Sequence, residues 1–557
     1  MRKVIVVFLF VFATFFAETL ESLAAGYDAR PPSLSSAMGM NAHLGFDCSR
    51  KFIEELCLSM KEAGVQYVRL DVYWEEENWL KQKKVIDKSV YYADKYGLQI
   101  LLNFPQILEK KDSAYLNGWL DMLKFYANRY DGKTPIGIEG EIDVRNVKVD
   151  FFEPMNEPDL NEKKMKLGIP VFFDVMAQAY KSIKSVRSDA FVVMPGMTNN
   201  NDITRRLLTY KSPDGLVMSD IVDVTNIHFY IDKQAKYMAF LDDWKSLMEK
   251  SGLQKKMHWV TECGASLWEF SQEEQAKLLP KQNIVALSKG FEKVFYYQYH
   301  AFGGNRGQGR HHQRQNYYGI IDPSVSNSYG SFYVNDGTYR TAITSGDASK
   351  RVYFRNSNRD YFALYSHTKT TLMRLKTSGL AIGGKGYTVK AVRLVHKDGT
   401  DKVLWNGSMR INENDRQVLS LPAIDFLYMS RSDAIRVDVV DVDDLNENWI
   451  GLQPWNAYIA YSVQTKFLTE KSTVPHSVDF GIKKLNVYTW VSPEKGRVWA
   501  VWANDGAKID VKMFGDEGEL YATDYMGKEV QLKNGTLRIT DSMVYVSGVG
   551  QLKITRD

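Results

Sequence analysis

Cysteine is scarce in this chain: 557 residues hold three, Cys48, Cys57 and Cys263. Three is an odd number and too few for a disulfide scaffold. A Cys48–Cys57 bridge and reduced, partly buried thiols both fit. No spacing suits a zinc site. An excess of one charge is also missing. Lys and Arg number 71 against 67 for Asp and Glu, and the formal net charge is +4. No basic block dominates any region, which argues against a dedicated nucleic-acid binder. After the first residues, no run is apolar and long enough to cross a bilayer.

What is present is length and apolar content. With 44% hydrophobic and 13% aromatic residues, the chain has material for two or three domains with large cores. The start reads as a secretory signal. Arg2 and Lys3 precede the apolar run Val4–Ala17. That run is shorter than the ~20 residues of a membrane-spanning helix. Glu18 and Glu21 break it, and Ser22, Ala24 and Ala25 offer cleavage points. Residues 1–25 are therefore read as a signal peptide, with an uncleaved anchor as the alternative. A secreted or periplasmic protein follows, with no integral membrane span after cleavage.

From about 38 to 345, short β runs alternate with helical stretches. Eight strands are expected: Met40–Leu44, Tyr67–Val72, Gln99–Phe104, Val149–Pro154, Phe191–Met194, Val222–Tyr230, Met257–Glu262 and Val294–Tyr299. Between them lie stripes at helical spacing, such as Ile53, Leu56, Cys57 and Met60, or Leu116, Trp119, Leu120 and Leu123. Gly64 and Gly97 fall where helix C-caps belong, and Ser271 with Glu274 forms a capping-box pattern. Eight βα repeats predict a (β/α)8 TIM barrel over residues 26–345, with its functional face at the strand carboxyl ends.

Beyond 345 the pattern changes to short alternating runs such as YFALYS, YTVKAVRLV and RVWAVWA, punctuated by Asp/Asn-Gly turns. This predicts antiparallel β-sandwich. Partial echoes (NGSMRINENDRQVLSL and NGTLRITDSMVYVS) suggest two modules, 346–432 and 433–557, or one sandwich built from both halves. Trp405, Trp449, Trp455, Trp490, Trp499 and Trp502 are either sandwich core or carbohydrate-stacking platforms.

The chemistry lies in two glutamates at the ends of apolar runs, Glu157 in VKVDFFEPMNEPDL and Glu262 in KKMHWVTECGAS. One carboxyl held protonated and one held ionised, at the carboxyl ends of separate strands, are what a retaining glycosidase needs. Asn156-Glu157-Pro158 after an apolar strand resembles the Asn-Glu-Pro motif of clan A glycoside hydrolases. IHFY at Ile227–Tyr230 and VRLDVYW at Val68–Trp74 resemble strand-six and strand-two segments of the same clan. Within the clan the chain looks most like family 39 and its relatives. The resemblance covers roughly 38–330. It implies a retaining (β/α)8 enzyme with acid/base and nucleophile on strands four and seven, and counting strands puts Glu157 and Glu262 there.

Roles follow for the other candidates. Glu157 acts as general acid and then base. Glu262 is the nucleophile, kept ionised by Arg69 and Tyr230. Asn156 holds the sugar 2-hydroxyl, and His228 orients Glu262 or touches substrate. Trp74 can stack on a sugar face. Each has a bland counterpart: an Arg69–Asp71 ion pair, a satisfied core histidine at 228, a tryptophan packed on a helix. Glu153 reads as a structural, barrel-lining carboxylate. The clan usually carries a strand-eight tryptophan under the sugar; this chain has VFYYQYHAFGG, and Tyr299 or His300 are the expected substitutes. In the loop that follows, Arg306, Arg310, His311, His312 and Arg314 either read an acidic sugar or are simply solvated. Neither metal nor organic cofactor is implied, because both steps are carboxylate chemistry. The partner is a carbohydrate of unspecified sugar and linkage, and the oligomeric state is open. A catalytically silent carbohydrate-binding protein on the same scaffold is the alternative.

Overall fold

The computed structural model describes residues 37–299 apart from 45–49, 73–78, 106–112, 161–167, 199–201 and 268. It then describes 318–320, the strands and adjoining residues between 331 and 451, and 456–556 apart from 505, 516–519, 533 and 549–551. Residues 1–25, Trp74, His300 and the 306–314 loop lie outside the described residues.

Eight parallel strands form the expected barrel: β1 Met38–Asn41, β2 Tyr67–Asp71, β3 Gln99–Asn103, β4 Phe151–Glu153, β5 Phe191–Val192, β6 Val224–Phe229, β7 Met257–Cys263 and β8 Lys293–Tyr296. Their order is β5-β4-β3-β2-β1-β8-β7-β6. A parallel bridge between Val193 and Val224 joins the two ends and closes the ring. Seven helices follow the first seven strands: α1 Arg50–Glu62, α2 Trp79–Lys95, α3 Ser113–Arg129, α4 Gly168–Val186, α5 Asp202–Leu208, α6 Gln234–Lys250 and α7 Gln272–Ser288. Local signals explain their ends. The Ser271–Glu274 capping box forms in both directions at the start of α7. Gly64 ends α1 at φ +81°, a left-handed conformation that favours glycine.

Side chains fill the barrel in layers, as the tilt of its strands dictates. Tyr67, Phe151, Trp259 and Phe295 make an aromatic floor, with Phe151 and Trp259 ring centroids 4.6 Å apart. Two residues farther along β2 and β4, Arg69 and Glu153 begin a polar layer that carries the site.

The barrel is discontinuous in sequence. An eighth helix, α8 Asn456–Phe467, lies between α1 and α7, where the helix following β8 belongs. Tyr458 donates to the Ser59 carbonyl (3.4 Å) and Thr465 to that of Ala63 (2.8 Å), so α8 runs parallel to α1. Gln464 donates to the Pro280 carbonyl (2.9 Å) and accepts from Asn283 (2.8 Å) on α7. Its buried face, Ala457, Ala460, Tyr461, Gln464, has helical spacing. The expected barrel range, ending at 345, lacks this helix.

Two antiparallel sheets occupy the stretch between β8 and α8. Strand Ala434–Val440 lies beyond the expected 432/433 division, yet it pairs with Arg359–His367 and Tyr387–Val395 before it. The change of module therefore falls at α8. After α8 a five-stranded and a three-stranded sheet form the last module. It is bolted to the barrel by two of the tryptophans. Trp502 Nε1 donates to Gln234 Oε1 on α6 (2.6 Å) and Trp490 Nε1 to the Phe467 carbonyl (2.7 Å). Trp490, Trp499 and Trp502 are all buried and serve as core, not as platforms.

A chain ending at residue 345 would leave the groove between α1 and α7 uncovered. It should aggregate or give a spectrum of partly folded chain on expression, whereas the full chain should elute as a folded, monodisperse species. Far-UV circular dichroism and size-exclusion chromatography of the two decide this. A folded, monodisperse 26–345 fragment would show that α8 is dispensable.

Candidate active site

Arg69 is the hub of the barrel's upper end and is 2% exposed. Its Nε donates to Glu153 Oε2 (2.7 Å), Nη1 to Asn41 Oδ1 (3.0 Å) and Glu262 Oε1 (2.7 Å), and Nη2 to Asn156 Oδ1 (2.7 Å). The bland Arg69–Asp71 pairing is not what forms. Asp71 instead pairs with His43 Nδ1 (2.5 Å) and accepts from Asn103 (2.8 Å). Glu153 is fully buried and also accepts from the Gly196 N–H (3.1 Å) and Asn226 (3.0 Å). It is a structural carboxylate held by three donors.

Glu262 owes its direction to a bulge. The β6–β7 register steps from Ile227↔Val260 to His228↔Glu262, which leaves Thr261 as an extra residue in β7. Simple alternation after inward Trp259 would turn Glu262 outward with Val260; the inserted residue reverses this. Glu262 Oε2 accepts the Tyr230 hydroxyl at 2.5 Å, while Oε1 takes Arg69.

Glu157 sits just past β4 at φ +45°, a strained conformation for a side-chain-bearing residue. The surroundings over-determine it. Its N–H donates to the Gly196 carbonyl (3.2 Å). Two residues on, buried Asp159 ties this loop to the next by accepting from the Thr198 N–H (2.9 Å) and hydroxyl (3.1 Å). His228 Nδ1 lies 2.8 Å from Glu157 Oε1 and 3.7 Å from Glu262 Oε2. Gly196 passes so close to the His228 ring that a Cβ there would overlap it.

The two glutamates thus meet opposite environments. Burial, and next the charge of Glu262, push the Glu157 pKa above the usual carboxylate range, against smaller opposing effects of His228 and Arg69. Burial also acts to raise Glu262, but the His228 and Arg69 charges and the Tyr230 hydroxyl outweigh it and hold that carboxyl low. An oxygen of Glu157 and an oxygen of Glu262 lie within 4.8 Å of one another, together with a ring nitrogen of His228. This trio is the one acid–histidine cluster among the described residues with metal-ligand spacing. Its atoms already hydrogen-bond one another, Arg69 and Tyr230, so a metal would have to displace that network.

The structure brings together Arg69, Asn156, Glu157, His228, Tyr230 and Glu262. It places Tyr299 elsewhere. The β8 ladder ends at Tyr296, so alternation does not carry on to 299. The Tyr299 hydroxyl donates to Ser59 Oγ (2.6 Å) and its ring packs near Tyr458 beneath α8. Tyr297 takes the pocket position instead, edge-on to His43 (5.4 Å), Tyr230 (6.2 Å) and Tyr318 (5.6 Å). Sequence reading also missed Asn41, Asn226 and Thr261. Their signal was available: polar residues inside otherwise apolar strand runs, MGMN, VTNIHF and WVTEC.

Residues 28–287 match the family model described as Cellulase (glycosyl hydrolase family 5). No curated protein matches the sequence. Among solved structures, a family 39 glycoside hydrolase from the gut symbiont Bacteroides cellulosilyticus WH2 is similar in fold, with TM-score 0.53 and 14% identity over 92% of this chain and 81% of that one. A family GH5_18 protein from Bifidobacterium longum subsp. infantis aligns at TM-score 0.39 and 12% identity over 52% of this chain and 74% of that one. With the family 5 match spanning β1–β7 and both glutamates at strand carboxyl ends, the chain is an O-glycoside hydrolase of clan A, built on that clan's (β/α)8 barrel.

Proposed function

We propose that the chain is an exported, retaining glycoside hydrolase acting on an oligo- or polysaccharide by double displacement. The observation that carries this is the proximity of Glu157 and Glu262 in opposite electrostatic settings. Retaining enzymes hold their carboxyl groups about 5–5.5 Å apart, inverting ones about 6.5–9.5 Å, to admit a water. Oxygens within 4.8 Å support the first arrangement. Glu262 attacks the anomeric carbon as Glu157 gives its proton to the leaving oxygen. Glu157 then takes a proton from water, and the hydroxide so formed displaces Glu262 from the sugar. Asn156, oriented by Arg69, presents its amide toward the 2-hydroxyl. Residues 1–25 direct export.

Glu262→Gln keeps shape and removes the attacking charge, so turnover should fall by several orders of magnitude with the fold intact. Azide should rescue Glu262→Ala and give a glycosyl azide of inverted configuration. Near-normal turnover in Glu262→Gln would remove the mechanism.

Glu157→Ala should cost about 10²–10⁴-fold on natural glycosides. The loss of the glycosylation step should be far smaller on activated aryl glycosides, whose leaving groups need no proton. Equal loss on both would assign Glu157 another role.

The rate should be bell-shaped in pH. It rises as Glu262 ionises at a lowered pKa and falls as pH climbs through the raised pKa of Glu157. In Glu262→Gln the repulsion that keeps Glu157 protonated is gone, so Glu157 should titrate at lower pH than in the parent. Carbon-13 NMR of labelled glutamate checks this; an unmoved or upward titration would contradict it.

A further inference from the structure

Asn226, Thr261 and His228 form a short hydrogen-bonded chain under Glu157. Asn226 Nδ2 donates to Glu153 Oε1 (3.0 Å) and Thr261 Oγ1 (2.7 Å), and Asn226 Oδ1 accepts from the Thr261 N–H (3.1 Å). This fixes the amide. A carboxylate can only accept and a backbone N–H can only donate, so the flipped amide would oppose both. Thr261 Oγ1 therefore receives a proton from Asn226 and has its own to give. Its remaining neighbour among the described residues is His228 Nε2 at 2.8 Å.

We propose that Thr261 is a positioning residue that sets the tautomer of His228. Its hydroxyl donates to Nε2, and the ring proton is thereby placed on Nδ1, aimed at Glu157. This rests on reading Glu157 as the acid/base. With Oε1 accepting from Nδ1–H at 2.8 Å, the acidic proton of Glu157 belongs on Oε2, available to the leaving group. In the second step the same N–H steadies the carboxylate that activates water. The opposite tautomer would turn a lone pair toward Glu157 and draw the acidic proton to the ring.

The charged groups facing His228 come from three other elements: Glu157 beyond β4, Glu262 on β7 and Arg69 on β2. Burial and the Arg69 charge oppose the imidazolium and the two glutamates favour it, with a net upward push on the His228 pKa. What argues for a single ring proton is the geometry at Nε2, where the Thr261 hydroxyl has its own proton to give. An imidazolium would set the Nε2 proton against the Thr261 proton, and among the described residues that hydroxyl has no second acceptor. The chain also reaches back through Glu153 to Arg69, and so to Glu262. Acid/base and nucleophile are thus joined beneath the substrate by one continuous hydrogen-bonded path.

Nitrogen-15 NMR of full-length protein labelled at histidine, with His228 assigned by comparison with His228→Asn, reads the tautomer directly. At the pH of maximal activity Nδ1 should carry the proton, and Nε2 should show the shift of an unprotonated acceptor. Thr261→Val should populate the other tautomer and move the basic limb of the pH–rate profile up by about one unit, the scale of one charge-assisted hydrogen bond. Thr261→Ser should restore both. A parent protein with the proton on Nε2, or on both nitrogens at that pH, overturns the proposal even if Thr261→Val does not fold. So does a folded Thr261→Val with the parent's tautomer and pH profile. The spectrum is recorded without substrate. Failure of the Glu157 assignment, seen in its leaving-group dependence, is therefore distinguishable from failure of the tautomer.

Discussion

The upper half of the barrel is assembled around one guanidinium. Arg69 donates to residues from β1, β4, β7 and the loop that carries Glu157. Arginine does not lose its charge in proteins, so it offsets two buried carboxylates at any working pH. Removing one partner of such a buried pair costs about 3–5 kcal/mol, because the other is left uncompensated. The same fork separates the two acids it holds. Glu153 is fully buried and held by three donors, Arg69, the Gly196 N–H and Asn226. Glu262 is held at one oxygen by Arg69 and at the other by Tyr230, facing Glu157. Equal residue types at neighbouring positions take different roles because their hydrogen-bond partners differ.

The β7 bulge lets the aromatic floor and the nucleophile share one strand. Trp259 must point inward to close the bottom, and Glu262 must point inward to act. They stand three positions apart, an odd step that an uninterrupted strand cannot satisfy. Thr261, the inserted residue, brings both onto the interior side, and its own hydroxyl fills the gap between Asn226 and His228. A local irregularity thus supplies both the direction of one catalytic carboxylate and the support of the other.

Strand number, strand order and the two glutamates were legible because each strand is a short apolar run and the motif Asn156-Glu157-Pro158 ends the fourth. Arg69, His228 and Tyr230 were legible as polar residues at strand ends. So were two of their contacts: Arg69 and Tyr230 both donate to Glu262, as expected. The remaining partners were not legible, and the bland Arg69–Asp71 pair does not form, because the side chains two apart on β2 reach different neighbours, Glu153 in one case and His43 in the other. Tyr299 was misread because the eighth strand was expected to run to residue 299, whereas its ladder ends at Tyr296. The helix Asn456–Phe467 was hidden for a related reason. Its apolar positions have helical spacing, but they stand among strands, and the surface they cover is made by residues near 60 and 280.

That helix also explains where the accessory modules stand. In a (β/α)8 barrel each helix begins at the end where its strand finishes, which is the catalytic end. The β module before α8 therefore leaves the barrel from the catalytic end of β8 and rejoins it at the catalytic end of α8, as an enlarged βα loop would. The module after α8 is attached differently. Its Trp490 and Trp502 rings are spent on α8 and α6, on the outer ring of helices. Buried indoles that close an interdomain seam cannot also stack on sugar. Any stacking surface must come from other aromatics, and among the described residues Tyr230, Tyr297 and Tyr318 stand at the pocket, packed edge to face with centroids 5.3–6.2 Å apart. Edge-to-face packing locks ring orientation, so these tyrosines offer substrate a rigid wall. One of them, Tyr230, couples that wall to the nucleophile through a single hydrogen bond.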